Sequence, residues 1–407
     1  MNAPGKELLP HSFFLLAFLA FVHLGCEDPE RDQSSIPEWT LEREFTVGSL
    51  DGREDALTRI GSVAFGKHDE VFVSQPDECV MRVFDREGNS RGELAGEGEG
   101  PGEFRSMGPI GRLADTLYLC DYLNQRTSFF SEEGIFLYSF QYPPPNLGEG
   151  LWSPTPTWLL EDGTVLVIPG YVMAAAADGT VSEIPVVRTT RGGEVLDTVA
   201  TYTLRSRPFA GREGSTSYGS ENPFSGNPEV GYMPSRRELI MVDAPAPRSG
   251  ERTTFSVVRL SLDGDTMGTH EIPFDPVRLP EHVKDSVIDT EVESYAGGSR
   301  PLIRSRRTAR TEIEKAWDLP GYYPPVSSVR IASDGRIWLR REDLPGPLVW
   351  WNLLAPDGKV VARFHLPSGL EIHESKGAMV WGTERDKLGV DYLVRFSISE
   401  PTDSPGG

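Results

Sequence analysis

The sequence predicts an all-β fold, a six-bladed β-propeller, and three observations lead to it. First, the 407 residues include 42 Gly and 33 Pro, yet 38% are hydrophobic, which is typical of many short strands joined by tight turns. Second, a pattern of alternating apolar strands and acidic-Gly turns recurs six times along the chain. Third, one further strand precedes the first repeat and is available to close a ring of sheets.

The repeat is clearest in its first two copies, whose corresponding positions lie 46 residues apart. Both copies contain two alternating strands followed by an acidic-Gly turn: residues 70–74, 80–85 and 87–88, then residues 116–121, 126–130 and 133–134. The glycine of each turn supplies the positive φ that a tight hairpin requires, and the alternation buries one face of each strand. One such unit has little core of its own, so successive sheets are expected to stack face to face around an axis.

Six copies begin near residues 59, 108, 156, 230, 326 and 370. The last copy is one strand short. Residues 39–47 (WTLEREFTV) form an unpaired alternating strand ahead of the first copy, and we expect them to complete the last blade. This closure removes the open edges that an unclosed sheet would expose.

Two insertions interrupt the repeat. Residues 205–229 are rich in Gly, Ser, Pro and Asn and predict a long loop. Residues 279–318 predict two amphipathic helices, which form a helical insertion between blades four and five. The insertion also carries a basic cluster made of Arg300, Arg304, Arg306, Arg307 and Arg310. This cluster is either a solvated helix face that balances charge or a docking surface for an anionic ligand or acidic partner.

The N-terminus is typical of an export signal. Residues 13–22 are an unbroken apolar run, which is shorter than the roughly 20 residues needed to span a bilayer. The run leads into Leu24-Gly25-Cys26 and then into acidic residues, a pattern that resembles a bacterial lipobox with Cys26 as the lipidated residue. His23 departs from that pattern, because an aliphatic residue is usual at its position.

These features predict a lipoprotein signal peptide at 1–25, a polar tether at 26–38, the propeller at 39–398 and a disordered tail at 399–407. We expect a lipid anchor at the cell envelope, with the propeller facing the periplasm or the outer surface. The net charge of −21 argues against nucleic-acid binding, because phosphate neutralisation requires a basic surface. Cys79 and Cys120 are either a disulfide or two small buried apolar residues.

A family resemblance supports the fold. The run at residues 97–104 (EGEGPGEF), followed by a strand pair with Asp121, Asn124 and Arg126, resembles bacterial six-bladed propellers of the NHL-repeat kind. Tyr323-Pro324-Pro325, ahead of an Asp-Gly-Arg-Ile-Trp strand, is similar to the same group. The resemblance covers roughly residues 39–398 and implies a fold more than an activity, because the group includes binding scaffolds, lyases and lactonases.

Motifs for catalysis are missing from the sequence: there is no G-x-S-x-G, no H-E-x-x-H and no phosphate-binding loop. The candidates for a ligand-binding face are Asp121, Asn124, Arg126 and Tyr323, because such loops gather at one end of a propeller. The competing interpretation is structural: the aspartate caps its turn and the arginine bridges two blades.

We therefore expect a membrane-anchored scaffold that binds a small molecule or a protein, rather than an enzyme. The alternative is a metal-dependent hydrolase or lyase of the lactonase kind, with a divalent cation such as Ca²⁺ in the central channel. The sequence identifies no metal ligands, because the five histidines beyond the signal peptide are scattered over different copies without metal-ligand spacing.

Overall fold

Six four-stranded antiparallel sheets follow one another along the chain and form the blades of a propeller, as the repeat predicts. A computed structural model describes residues 36–48, 56–66, 68–171, 173–213, 216–297, 302–303, 305–341 and 346–400. The predicted signal peptide, Cys26, Arg300 and Arg304 lie outside the described residues, as does most of the predicted tether and tail.

The first strand of the chain, β1 (Thr40–Val47), belongs to the last blade. Blade 1 consists of β2 (Val63–Phe65), β3 (Val71–Gln75), β4 (Val80–Phe84) and β5 (Ser90–Leu94), and blade 2 of β6 (Ile110–Leu113), β7 (Thr116–Asp121), β8 (Arg126–Phe130) and β9 (Phe136–Gln141). The 46-residue spacing of the sequence repeat reappears in these strands. The last residues of β3 and β7 are 46 residues apart, and so are the first residues of β4 and β8.

Blade 3 carries extra elements between its strands. A short pair, β10 (Leu151–Trp152) and β13 (Gly170–Tyr171), flanks the first two blade strands, β11 (Trp158–Leu159) and β12 (Val165–Val167). Helix α1 (Met173–Asp178) then leads to the outer strands β14 (Glu183–Thr189) and β15 (Val195–Thr203). A separate hairpin follows, formed by β16 (Phe209–Glu213) and β17 (Thr216–Ser220).

Blade 4 contains β18 (Glu229–Met233), β19 (Glu238–Asp243), β20 (Thr253–Ser261) and β21 (Thr266–Phe274). Helices α2 (Glu281–Ala296) and α3 (Arg306–Trp317) come next and confirm the predicted helical insertion. Blade 5 contains β22 (Ser328–Ile331), β23 (Ile337–Arg341), β24 (Leu348–Leu354) and β25 (Val360–Pro367). Blade 6 contains β26 (Leu370–Lys376), β27 (Met379–Arg385), β28 (Asp391–Ser399) and β1.

Strand β1 closes the ring, as predicted. It pairs antiparallel with β28 from Thr40 opposite Ser399 to Val47 opposite Leu393. The Phe45 ring packs edge-on against Trp381 with centroids 5.3 Å apart, so the first strand also contributes to the core beside blade 1.

The first strand of each blade is its innermost strand, and these inner strands surround the central channel. Strand β2 contacts both β6 and β26, and β22 contacts both β18 and β26. Since strands alternate in direction within a blade, two sets of connections share one end of the ring: those between blades and those between second and third strands. We call this the insertion end, because α1, the β16–β17 hairpin and α2–α3 all lie in such connections. The opposite end, where β1 begins, is the tether end.

Tight turns have the backbone that the Asp-Gly and Glu-Gly pairs predicted. The turn glycines have φ between 80° and 95°, a range that L-residues rarely adopt: Gly88, Gly134, Gly163, Gly264, Gly335 and Gly358. The core consists of apolar layers between blades, and Trp351 is fully buried in the layer between blades 5 and 6. Trp350 lies on the other face of the same strand and stacks on His365 at 4.4 Å.

The β16–β17 hairpin corrects the prediction of a long loop at 205–229. The composition concealed the hairpin because its strands are short and rich in Gly and Ser, and partners distant in sequence stabilise them. The Phe209 and Tyr218 rings lie 5.4 Å and 5.2 Å from the ring of Tyr295 on α2. The hairpin and the two helices therefore share one apolar core, separate from the layers between blades.

The two described cysteines are free and buried, so the alternative of two small apolar residues is confirmed over a disulfide. They belong to different apolar clusters, Cys79 beside blade 1 and Cys120 beside blade 3. Burial raises the pKa of the Cys120 thiol to about 12, which leaves it protonated and unreactive at neutral pH. Among the described residues, no helix is both long and apolar enough to span a bilayer.

Candidate ligand-binding site at the mouth of the central channel

Asp121 is fully buried at the end of β7, where it organises the chain that enters blade 2. Its carboxylate accepts hydrogen bonds from the backbone N–H groups of Arg105 at 2.9 Å and Ser106 at 3.2 Å. The Asn124 side-chain amide donates to the same carboxylate at 2.8 Å. These bonds occupy the Asp121 oxygens within the chain. This is the arrangement expected if the aspartate has a structural role and caps its turn.

Arg126 holds the preceding glycine-rich loop. Its guanidinium donates to the backbone carbonyls of Glu99 at 2.9 Å, Gly100 at 3.1 Å and Glu103 at 2.6 Å. Asn124 donates to the carbonyl of Gly98 at 3.2 Å. The three predicted site residues of blade 2 thus lie together and fix one loop, and their contact with a ligand stays a prediction.

Tyr323 lies elsewhere, between α3 and blade 5. It is buried, and its ring meets that of Phe224 edge-on with centroids 5.5 Å apart. Its backbone N–H donates to the carbonyl of Val277 at 2.9 Å. The structure therefore does not bring Tyr323 to the blade 2 residues, and it packs at the base of the insertions.

The arginines of α3 are largely neutralised by acidic residues. Arg306 pairs with Glu293 of α2 at 2.8 Å. Arg310 pairs with Glu314 at 3.0 Å and also reaches Asp285 and Asp289 of α2. This favours the interpretation of the cluster as a solvated face that balances charge.

A different set of polar residues lies at the insertion end, on and beside the inner strands of blades 4, 5 and 6. We call it the polar arc. It comprises Tyr171, Tyr202, Glu221, Glu229, Arg330 and His373. Each member interacts electrostatically with at least one other member.

Glu229 and Arg330 face each other without forming an ion pair. Glu229 is the first residue of inner strand β18, and Arg330 lies on inner strand β22. Glu229 is exposed at the start of its strand, but the protein around its carboxyl group raises the pKa by desolvation, and the nearby Arg330 charge offsets part of this effect. No N···O distance between them falls within the 4.0 Å of a salt bridge. Two opposite charges are therefore close enough to interact but leave a gap between them.

Arg330 has spare hydrogen-bonding capacity. Within the described part of the chain, its guanidinium makes one hydrogen bond, to the carbonyl of Val329 at 3.0 Å, and no ion pair. The residue is exposed although it lies on an innermost strand, so its guanidinium is accessible to solvent. A guanidinium carries five N–H donors, and most of these remain available to a ligand.

His373 is the extra residue of a β-bulge. The pairing of β26 with β27 shifts between Ile372 and Glu374, so His373 has no directly opposed partner. Bulges redirect side chains and are frequent beside functional sites. The His373 Nε2 lies 2.9 Å from the Thr383 hydroxyl. Burial and the Arg330 charge lower the pKa of His373 to about 4, so the imidazole is neutral at pH 7.

The remaining members come from the insertions and from blade 3. Burial and a hydrogen bond to Glu221 raise the pKa of Tyr171, which lies on β13. Burial and the charges of Glu229 and Glu221 raise the pKa of Tyr202 to about 12. The arc thus brings together one cation, two carboxyl groups, two neutral phenols and one neutral imidazole at the insertion end, with Tyr202 contributed by the outermost strand of blade 3. Sequence reasoning missed this set because its members share no motif or spacing.

The alternative of a central divalent cation is not matched by a ligand set. Throughout the ranges that the structure describes, no three His, Cys, Asp or Glu side chains are grouped closely enough to hold a metal ion.

A cavity of about 430 Å³ lies at the tether end between blades 5 and 6. Asp334 and Arg336 in its wall bond to each other at 2.9 Å, and Arg336 also donates to the Gly377 carbonyl at 2.5 Å. These contacts join the two blades, so the polar groups of this cavity already have partners.

Comparisons with known proteins found similar solved structures but no matching family. No protein-family model matches the chain, and no curated protein matches it. Among solved structures, it is similar to a member of the DUF4221 family from Bacteroides vulgatus, with 10% identity, a TM-score of 0.48 and coverage of 89% of this chain and 99% of that one.

Two enzymes are also similar in structure. Virginiamycin B lyase from Staphylococcus aureus has 10% identity and a TM-score of 0.40, with coverage of 88% of this chain and 99% of the lyase. Aldose sugar dehydrogenase from Streptomyces coelicolor has 15% identity and a TM-score of 0.39, with coverage of 89% and 99%. At these identities the likeness concerns the fold, and the class that fold and site define is a six-bladed propeller with a polar channel mouth.

Proposed function

We propose that this protein is a lipid-anchored, extracytoplasmic propeller that binds a small polar ligand at the polar arc. One observation carries the proposal: separate insertions converge at one end of the ring, beside inner-strand charges that no ion pair satisfies. The described contacts of Arg330 include no carboxylate within salt-bridge distance. Arg126, a structural arginine of this chain, by contrast bonds to three backbone carbonyls through Nη1 and Nη2.

The insertions are packed against one another and are held in place by a shared apolar core. Ile313 and Ala309 of α3 are fully buried against α2 and the β16–β17 hairpin. The Asn222 side chain donates to the carbonyl of Trp317 at 2.8 Å, which joins the end of the hairpin to the end of α3. Glu221 is therefore held next to an anchored residue, and such rigidity favours binding because less entropy is lost on complex formation.

The proposed anchor suits a binding site at the insertion end. Strand β1 begins at the tether end, with Trp39 in the wall of the cavity there. The twelve residues between Cys26 and Trp39 span at most about 40 Å when fully extended. A lipid on Cys26 would therefore hold the tether end towards the membrane and leave the polar arc facing away from it.

Ligand binding is tested by a thermal-shift screen of the full chain against a library of small polar metabolites. A ligand that binds only the folded state raises the melting temperature by mass action. We expect hits whose shift disappears in Arg330→Gln and persists in Arg307→Gln, an exposed arginine of α3 outside the polar arc. Hits with equal shifts in both variants, or a library without hits, would contradict the proposal.

Anchoring is tested separately with Cys26→Ser, with Cys79→Ser as the matched control. We expect the Cys26 variant to leave the membrane fraction and to lose acyl label, while the control keeps both properties. Unchanged fractionation of Cys26→Ser would remove the anchor from the proposal and leave the binding site untouched.

A further inference from the structure

We propose that the ligand is an amino-acid-type zwitterion, with its carboxylate on Arg330 and its ammonium between Glu229 and Glu221. This inference rests on the proposed function and specifies the chemistry of its ligand. It follows from the pattern of charges in the arc, from the gap between them and from the neutral groups that surround them.

The carboxylate position is defined by Arg330. Guanidinium groups bind carboxylates through two parallel N–H···O bonds, a geometry that a point charge cannot reproduce. The one described hydrogen bond of the guanidinium uses Nη1 on the Val329 carbonyl, which leaves a second edge of the fork available. The neighbouring imidazole of His373 is neutral at pH 7, so it neither adds a second cation nor repels the ligand ammonium.

The ammonium position is defined by two carboxyl groups. Glu229 and Glu221 are both exposed, and Glu229 makes no side-chain hydrogen bond to the described residues; the charge of Glu221 acts on it and on the half-buried Tyr202. An ammonium between these groups would relieve their mutual repulsion and donate hydrogen bonds to both carboxylates in place of water. It would also favour the ionised form of Glu229, whose pKa burial now raises.

The combination selects a ligand with both charges. A simple anion at Arg330 would be repelled by Glu229 and Glu221, and a simple cation at the two glutamates would be repelled by Arg330. Glu229 and Arg330 lie on the neighbouring inner strands β18 and β22 without forming a salt bridge, so a molecule that carries both charges can bond to both of them. Free amino acids and dipeptides share this chemistry and differ in the distance between their charges.

Isothermal titration calorimetry of the full chain tests the inference with individual L-amino acids and dipeptides as probes. Each binder is compared with its N-acetyl and its C-amide derivative. We expect the wild type to prefer the unmodified probe to either derivative by about tenfold or more, which corresponds to one charge-assisted contact. The relative affinity of amino acids and dipeptides distinguishes the two sources.

Two variants assign the contacts. In Glu229→Gln we expect the preference over the N-acetyl derivative to fall to about threefold or less, with the preference over the amide retained. In Arg330→Gln we expect the reverse, and Arg330→Lys should recover part of the preference over the amide. Glu271→Gln and Arg307→Gln, at exposed positions outside the arc, should match the wild type.

Three results would overturn the inference. One is that no amino acid or dipeptide binds. Another is that they bind with the same preferences in Glu229→Gln and Arg330→Gln, while circular dichroism shows that both variants are folded. The third is that an uncharged or singly charged metabolite binds and loses affinity in Arg330→Gln. That last result would reject the zwitterion while supporting the proposed binding function, so the two failures are distinguishable.

Discussion

The connections at the insertion end differ between the two halves of the ring. In blades 6, 1 and 2, side chains at the insertion end bond directly to the incoming backbone: Gln75 accepts from Thr58 N–H at 2.7 Å, Asp121 from Arg105 N–H at 2.9 Å and Asp391 from Ile60 N–H at 3.0 Å. Between blade 3 and blade 5, three of the corresponding connections contain α1, the β16–β17 hairpin and α2–α3, and the hairpin and α2–α3 share an apolar core of their own. We call these the plain half and the capped half. The comparison teaches that the repeat specifies the ring and the insertions specify its binding surface.

The largest expected effect comes from removing the strand that closes the plain half. A chain that begins at Gly48 lacks β1, its ladder with β28 and the Phe45–Trp381 contact. Blade 6 then has an open edge beside a buried tryptophan, and we expect a loss above about 5 kcal/mol, a large part of a typical domain stability. Urea unfolding followed by circular dichroism measures this. A chain that begins at Ile36 is the control, and equal midpoints for the two would contradict ring closure by β1.

Equivalent aspartates compare the halves directly, because Asp121 ends β7 in blade 2 and Asp243 ends β19 in blade 4. Asp121→Ala leaves two part-buried backbone N–H groups without partners, so we expect a loss of about 3 kcal/mol. Asp243 is 39% exposed and pairs with Arg205, so Asp243→Ala should cost at most about 1 kcal/mol. The same urea unfolding assay measures both losses of unfolding free energy. Similar losses for the two variants would contradict this difference between the halves.

Glu374 lies where the two halves meet, on β26 of blade 6, and accepts a hydrogen bond from Ser333 N–H of blade 5 at 2.7 Å. Burial raises the pKa of Glu374 to about 7, with a smaller contribution from Asp334. A raised carboxyl pKa means that the folded state holds the proton more tightly, so the stabilisation is complete below about pH 4.5 and is lost as pH rises through about 7.

The comparison for this site is with Glu374→Gln, whose amide oxygen can still accept the same bonds. Between about pH 4.5 and pH 8, we expect the wild type to lose about 1–3 kcal/mol of unfolding free energy relative to the variant. Unfolding at several pH values gives this difference. Parallel pH profiles would show that the Glu374 proton does not contribute to the junction.

The smallest effect is expected on the outer surface of the capped half. Arg310→Gln breaks exposed ion pairs between α3 and α2, which should cost about 0.5–1 kcal/mol and leave ligand affinity unchanged. The control is Arg307→Gln, which touches no such network. A marked loss of affinity in Arg310→Gln would move the binding surface from the channel mouth to the helices.

The plain half could be predicted from sequence because its information is local. The alternation within β3 and β7 and the turns at Gly88 and Gly134 are visible in short windows, and each agrees with the final register. Strand β1 was also predictable, since the last copy lacked a strand. Patterns of this kind need no knowledge of distant contacts.

The binding site could not be predicted in the same way. Its members run from Tyr171 to His373 and meet only after four blades and two insertions have folded. His373 is redirected by a bulge, which strand alternation does not reveal. Asp121 and Arg126 were selected as candidates because they match a recurring position of the repeat. In the structure both side chains bond to the backbone of the loop that enters blade 2, which is a structural role.

Hydrogen–deuterium exchange of the full chain, with and without its best-binding amino acid or dipeptide, tests the central claim most directly. We expect slower exchange in β13, in residues 221–231 and in β22, and no change in blades 1 and 2. Protection confined to the plain half, or no protection under saturating ligand, would contradict the assignment of binding to the capped half.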